Sequence, residues 1–316
     1  MKKIILSLVA IFISTIFLND QIQITSAADF AKIGVDESFP IDGNYIQTQD
    51  FTYPNTLTAS VISSFSGTYN GNGKKITYNA VYPNDQYANY GLFASNSGEI
   101  KNLNIESSVH VTGFATSVGM LCGENNGTIT NCNVISGSIY SSDNAGAYYT
   151  GMIVGKSNSG AIVKGCAVSG SCKGALYTGG VVGFSEGEIK ACEFVGDITS
   201  NGYSVYMYPP GAYSYLAFVG GVTAYGNVYS SYAEPIIHTP AMTMNQSGYF
   251  GITPSTAIGC AVGENAKIDN RYISTTTTTT TIAAIAGTII WQGNISCFIT
   301  PLSQSEITSL NNYAST

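Results

Sequence analysis

One segment of this chain returns, in the same order, several times along its length. The clearest copy runs Gly119-Met120-Leu121-Cys122-Gly123, then Asn125-Asn126-Gly127-Thr128-Ile129-Thr130-Asn131-Cys132-Asn133-Val134, and closes at Gly137-Ser138-Ile139. Gly91-Leu92-Phe93 leads in the same way to Gly98-Glu99-Ile100-Lys101-Asn102-Leu103. Gly151-Met152-Ile153-Val154-Gly155 leads to Cys166-Ala167-Val168, and Gly180-Val181-Val182-Gly183 to Gly187-Glu188-Ile189-Lys190-Ala191-Cys192. Weaker copies open at Gly221, Gly259 and Gly287. The opening glycines are spaced by 28, 32, 29, 41, 38 and 28 residues, the range in which repetition signifies a solenoid, a propeller or an array.

Within each unit the period is that of short strands. Apolar and polar residues alternate in Ile100-Lys101-Asn102-Leu103-Asn104-Ile105, and glycine or asparagine interrupts every few residues, as corners require. No helical stripe is present. A propeller blade needs about four strands in ~40 residues, whereas these units hold about three in ~28, one coil of a parallel β-helix. The expected fold is all-β, a right-handed parallel β-helix with about three short strands per coil.

The Gly-aliphatic-aliphatic-x-Gly-x-Asn-x-Gly-x-Ile-x-Asn-Cys pattern of 119–132, with its echoes at 91–105, 151–168 and 180–194, resembles the GLUG repeat of bacterial and archaeal surface proteins. Residues 43–50 and 65–76 are similar to the leader segment that precedes such repeats. The resemblance covers 43–198 well and 220–298 weakly. It implies a right-handed solenoid on an exported protein and no particular activity, since proteins with these repeats include adhesins, unassigned surface proteins and peptidases whose catalytic part lies elsewhere.

The N-terminus supports export. Lys2-Lys3, an apolar run from Ile4 to Leu18, and Thr25-Ser26-Ala27-Ala28 have the basic, apolar and small-residue regions of a signal peptide. The apolar run is shorter than the ~20 residues of a membrane span, and no second such run follows. The expected organisation is a signal peptide at 1–28, a cap at 29–42, a β-helix at 43–300 and a tail at 301–316, secreted or held at the cell surface with no membrane span once the leader is removed. With 12 basic and 19 acidic residues in 316, the net charge of −7 argues against nucleic acid as a partner.

Candidate sites divide by chemistry. Cys132, Cys166 and Cys192 share one register and are expected to stack as a reduced, buried ladder, with Cys166 and Cys172 the pair to consider if a disulfide forms. No CxxC pair suggests a metal, and neither a metal nor a cofactor is expected. His110 alternates outward on a strand, and His238 is expected in a loop. A carbohydrate-active enzyme, hydrolase or lyase, needs carboxylates meeting in a cleft. Glu99 and Glu188 share a register with Glu186 beside it, but Thr128 and Ala161 or Ile162 interrupt the column, so no catalytic residue is assigned.

Tyrosine is the residue the solenoid does not itself require. Of 22, thirteen fall just before an opening glycine, where insertions project from one edge of a repeat array. Tyr148, Tyr149, Tyr177, Tyr203, Tyr206, Tyr208, Tyr213 and Tyr215 are the candidate ligand-binding residues, a composition suited to wide contact at low entropic cost. The expected function is an adhesin-like binding protein engaging a glycan or a host or neighbouring surface protein. A carbohydrate-active enzyme and a structural surface-layer component are the alternatives, and the oligomeric state is left open.

Overall fold

The computed structural model describes residues 21–142 and 146–200 and, beyond these, strand segments between 203 and 269. These residues form an all-β parallel solenoid of about five turns with three parallel sheets of twelve, nine and five strands. One coil shows the plan. Phe114–Val118 lies in the five-stranded sheet, Cys122–Asn125 and Thr128–Thr130 in the twelve-stranded sheet, and Asn133–Ser141 in the nine-stranded sheet. Each strand pairs with its equivalents one coil before and after, as in Glu99↔Thr128↔Ile162↔Glu188.

Two corners explain the repeat's fixed residues. At the opening glycines successive coils approach so closely that a methyl group on Gly119 would run into the carbonyl oxygens of Cys122 and Ile153. At the second corner the backbone turns through the left-handed region, at Asn102 (φ 55°), Asn131 (φ 53°), Gly165 (φ 66°) and Ala191 (φ 51°). Asparagine and glycine tolerate that conformation where most residues do not.

The interior is built from aliphatic ladders. Ile100, Ile129, Val163 and Ile189 are in register and fully buried, and Ile105, Val134, Val168 and Phe194 form a second such column. Burying each such side chain contributes about 1.5–3 kcal/mol relative to exposure, which offsets the ordering of long, turn-rich chain.

At the N-terminal end Ile22–Ile24 pairs in parallel with Asn44–Gln47, and Ser26 caps a short helix, Ala27–Phe30. Phe30 is buried, with its ring edge-on to Tyr69 at 5.3 Å and to Phe93 at 5.4 Å, so it closes the end of the core. Of residues 22–28, assigned to the leader on sequence, Ile22–Ile24 is paired and Ile24 is buried at this end, while Gln23, Thr25 and Ala28 are exposed. The unit opening at Gly259 is represented by Ala257–Ile258, Ala261–Val262 and Lys267–Asp269, each paired to the preceding coil. The unit opening at Gly287, the threonine run 275–281 and the tail lie outside the described residues.

Candidate functional site

Where the five-stranded sheet meets the twelve-stranded one, register aligns two columns along the solenoid, partly exposed except at Ser117, which is buried. The first reads Asn89, Ser117, Tyr149, Tyr177. The second reads Ser95, Glu124, Lys156, Phe184, Tyr225. The opening-glycine corner between the sheets is tight, and this brings the two columns together.

In the later coils the columns are aromatic. Tyr149 and Tyr177 stack with ring centroids 5.5 Å apart at 29°. Phe184 lies 5.0 Å from Tyr149 and 5.2 Å from Tyr177, and stacks on Tyr225 at 4.6 Å with planes 5° apart. All four rings are half-buried, and where they stack on one another, as Phe184 does on Tyr225, their edges reach solvent. The Lys156 ammonium lies 5.8 Å from the Tyr149 centroid. Burial, with Glu186 nearby, raises the Tyr149 hydroxyl above its ordinary pKa; burial and the neighbouring Tyr149 and Tyr225 raise Tyr177. Both rings are neutral phenols at physiological pH.

In the earlier coils the same columns are polar. Asn89 donates from Nδ2 to Glu124 Oε2 at 3.0 Å, and Ser117 Oγ donates to Asn89 Oδ1 at 2.6 Å. Asn158 Nδ2 reaches both Glu124 Oε1 and Asn126 Oδ1 at 2.7 Å. The strip therefore passes from fixed hydrogen-bonding groups to stacked rings.

The structure sorts the tyrosines that sequence grouped together. Tyr149 and Tyr177 join the strip, and Tyr148 precedes Tyr149 on the strand Gly146–Gly151, half-buried. Tyr203, Tyr206, Tyr213 and Tyr215 lie on an antiparallel hairpin of Tyr203–Met207 with Ala212–Leu216, in which Tyr206 pairs with Tyr213 and Ser204 with Tyr215. Tyr208 lies outside the described residues. In the first unit Tyr82 and Tyr90 stack at 4.3 Å and are buried, serving the core, while Tyr87 is exposed. Phe184 and Tyr225 were not singled out on sequence. Their signal is positional: each follows the opening aliphatics by the same register as Glu124 and Lys156.

The remaining candidates fall elsewhere. Cys132, Cys166 and Cys192 are buried and free, as are Cys122 and Cys172. The Cys166 thiol contacts that of Cys192 in the next coil, and this contact together with burial pushes it well above its usual pKa. Cys166 is accordingly not bonded to Cys172. The Glu99–Glu188 register is as expected, with Thr128 and Ile162 between them, which spaces the two carboxylates by three strand steps, about 14 Å. Glu99 pairs instead with Lys101 at 2.6 Å. His110 faces outward, with Nε2 at 3.0 Å from Ser142 Oγ and its ring 5.2 Å from Tyr140, over which Lys173 sits at 4.7 Å. His238 corrects the sequence reading: it ends the strand Tyr232–His238 rather than lying in a loop, because its backbone pairs with Thr199. Among the described residues no cluster of histidine, cysteine and carboxylates is arranged to hold a metal, and no helix is long and apolar enough to cross a membrane.

This is the fold of a parallel β-solenoid carrying an aromatic and polar strip along one corner. A similar solved structure is that of a putative immunoglobulin A1 protease from Bacteroides ovatus, with a TM-score of 0.57 and 16% identity, covering 92% of this chain and 87% of that one. At that identity the likeness is one of fold. No protein-family model and no curated protein matches the chain.

Proposed function

We propose that the protein is a secreted or surface-displayed binding protein, adhesin-like, that engages its partner through the strip along the solenoid corner. The observation that carries this reading is the half-buried stack of Tyr149, Tyr177, Phe184 and Tyr225. Rings kept at the surface in continuous contact, when Tyr82 and Tyr90 are packed away in the core, are what a binding face uses for area without loss of side-chain freedom. The signal-peptide pattern of the N-terminus and the resemblance to GLUG repeats support display outside the cell.

Beads coated with the purified protein test this by attachment to cells. The Tyr149→Ala, Tyr177→Ala double variant, shown by circular dichroism to keep its strand content, should attach at least about tenfold less well, the loss of one well-placed aromatic contact. Equal attachment would remove the strip as the binding face.

A further inference from the structure

We infer that the strip binds a neutral, unbranched glycan laid parallel to the solenoid axis, one sugar residue per coil. This rests on the binding reading above and names its ligand. Four observations carry it.

The stations recur in strand register, one strand spacing apart at about 4.8 Å, so a chain of similar repeat meets one station of the strip at each step. A sugar ring has an apolar face and a hydroxylated rim. The strip offers both complements, an apolar ridge of ring edges at Tyr149, Tyr177, Phe184 and Tyr225, and amides with a carboxylate at Asn89, Glu124 and the neighbouring Asn158. Those polar groups are already held by one another, so little ordering is needed before they meet hydroxyls.

The strands Phe114–Val118, Gly146–Gly151 and Tyr177–Gly179 beneath the strip are paired on both sides, and the sheet's edge lies across its end at Asp85–Tyr90, so no free backbone edge runs along the strip for an extended peptide to join. Charge decides the remaining choice. Lys156 stands among Glu124 and Glu186, so the strip has neither the positive field a sulfated or uronic glycan would need nor a continuous negative one for a cationic partner.

The five coils from Asn89 to Tyr225 span four strand steps, about 19 Å. Titration of the full chain with neutral cello-, xylo-, manno- and malto-oligosaccharides of two to six residues tests the inference. For the series that fits, affinity should rise with each residue and level off at four or five. Phe184→Leu, which keeps apolar volume and removes the flat ring, should weaken it by about tenfold. Tyr177→Leu, which removes a second ring of the strip, should weaken it comparably.

Failure of all four series, or binding that Phe184→Leu leaves unchanged, overturns the glycan assignment. If cell attachment then still falls in the double tyrosine variant and is abolished by treating the cells with protease, the strip is a protein-binding face. If attachment is unchanged in that variant, the binding reading itself falls.

Discussion

Asn131 offers a direct test of what sets the second corner. Its backbone is left-handed at φ 53°, its side chain is exposed, and its amide reaches Asn102 Oδ1 at 3.4 Å, a long contact in solvent. In Asn131→Ala the left-handed cost for an ordinary residue is about 1–2 kcal/mol, and the lost contact adds about 0.5 kcal/mol at most. Asn131→Gly carries no such backbone cost, only the larger entropy glycine loses on folding, about 0.5–1 kcal/mol relative to alanine. The alanine variant should therefore be the less stable of the two. With a urea dependence of about 3 kcal/mol per molar for a chain of this size, its unfolding midpoint should fall by about 0.5 M, and that of the glycine variant by less. Equilibrium unfolding followed by far-ultraviolet circular dichroism reads this. If glycine proves as damaging as alanine or worse, the corner is held by the asparagine side-chain ladder, and the conformational argument is wrong. Ala191, at φ 51° in the same corner, shows that the fold absorbs this cost where neighbouring coils supply packing.

The cysteine ladder should resist modification. Burial pushes the Cys132 thiol up to about 12 and raises Cys122 and Cys172 as well, so a thiol-specific reagent should leave the five described cysteines untouched in the native protein and reach all seven in denaturant. Rapid native labelling of more than two would contradict the packed interior. At the N-terminal end the Asp29 carboxyl is drawn from 3.8 down to about 2 by hydrogen bonds from Thr25 first and Lys32 next. Because the folded value lies below the unfolded one, this stabilisation is complete above about pH 4 and lost as pH falls through 2. In the chain that retains Thr25, Asp29→Asn should flatten the fall in melting temperature over that window. An unchanged acid profile would show that the network does not hold the cap.

The coil was legible in the sequence because its corners admit few residues. Close backbone approach at Gly119 and Gly151 and left-handed turns at Asn102 and Asn131 force the same letters into each unit, and the short strands between them follow by alternation. The strip was half legible. Grouping tyrosines by their place before an opening glycine found Tyr149 and Tyr177 and also gathered Tyr82 and Tyr90, which point into the core. Phe184 and Tyr225 escaped because their neighbourhood is made by stacking coils and not by sequence distance. The strand Ile22–Ile24 was hidden for another reason: a short apolar and polar alternation beside an apolar run and a small-residue site reads as the end of a leader, and only its pairing with Tyr45 and Ile46 marks it as a strand.

The two-column strip has a consequence for how such a surface diversifies. Each coil contributes one residue to each column, so gain or loss of a whole coil by unequal recombination between the repeated glycine and asparagine segments changes the number of stations while keeping the spacing between them. Point changes at Tyr149, Lys156 or Phe184 alter the character of a single station without disturbing a corner. The length of the strip and the character of its stations are thereby set separately, the one in whole coils and the other residue by residue.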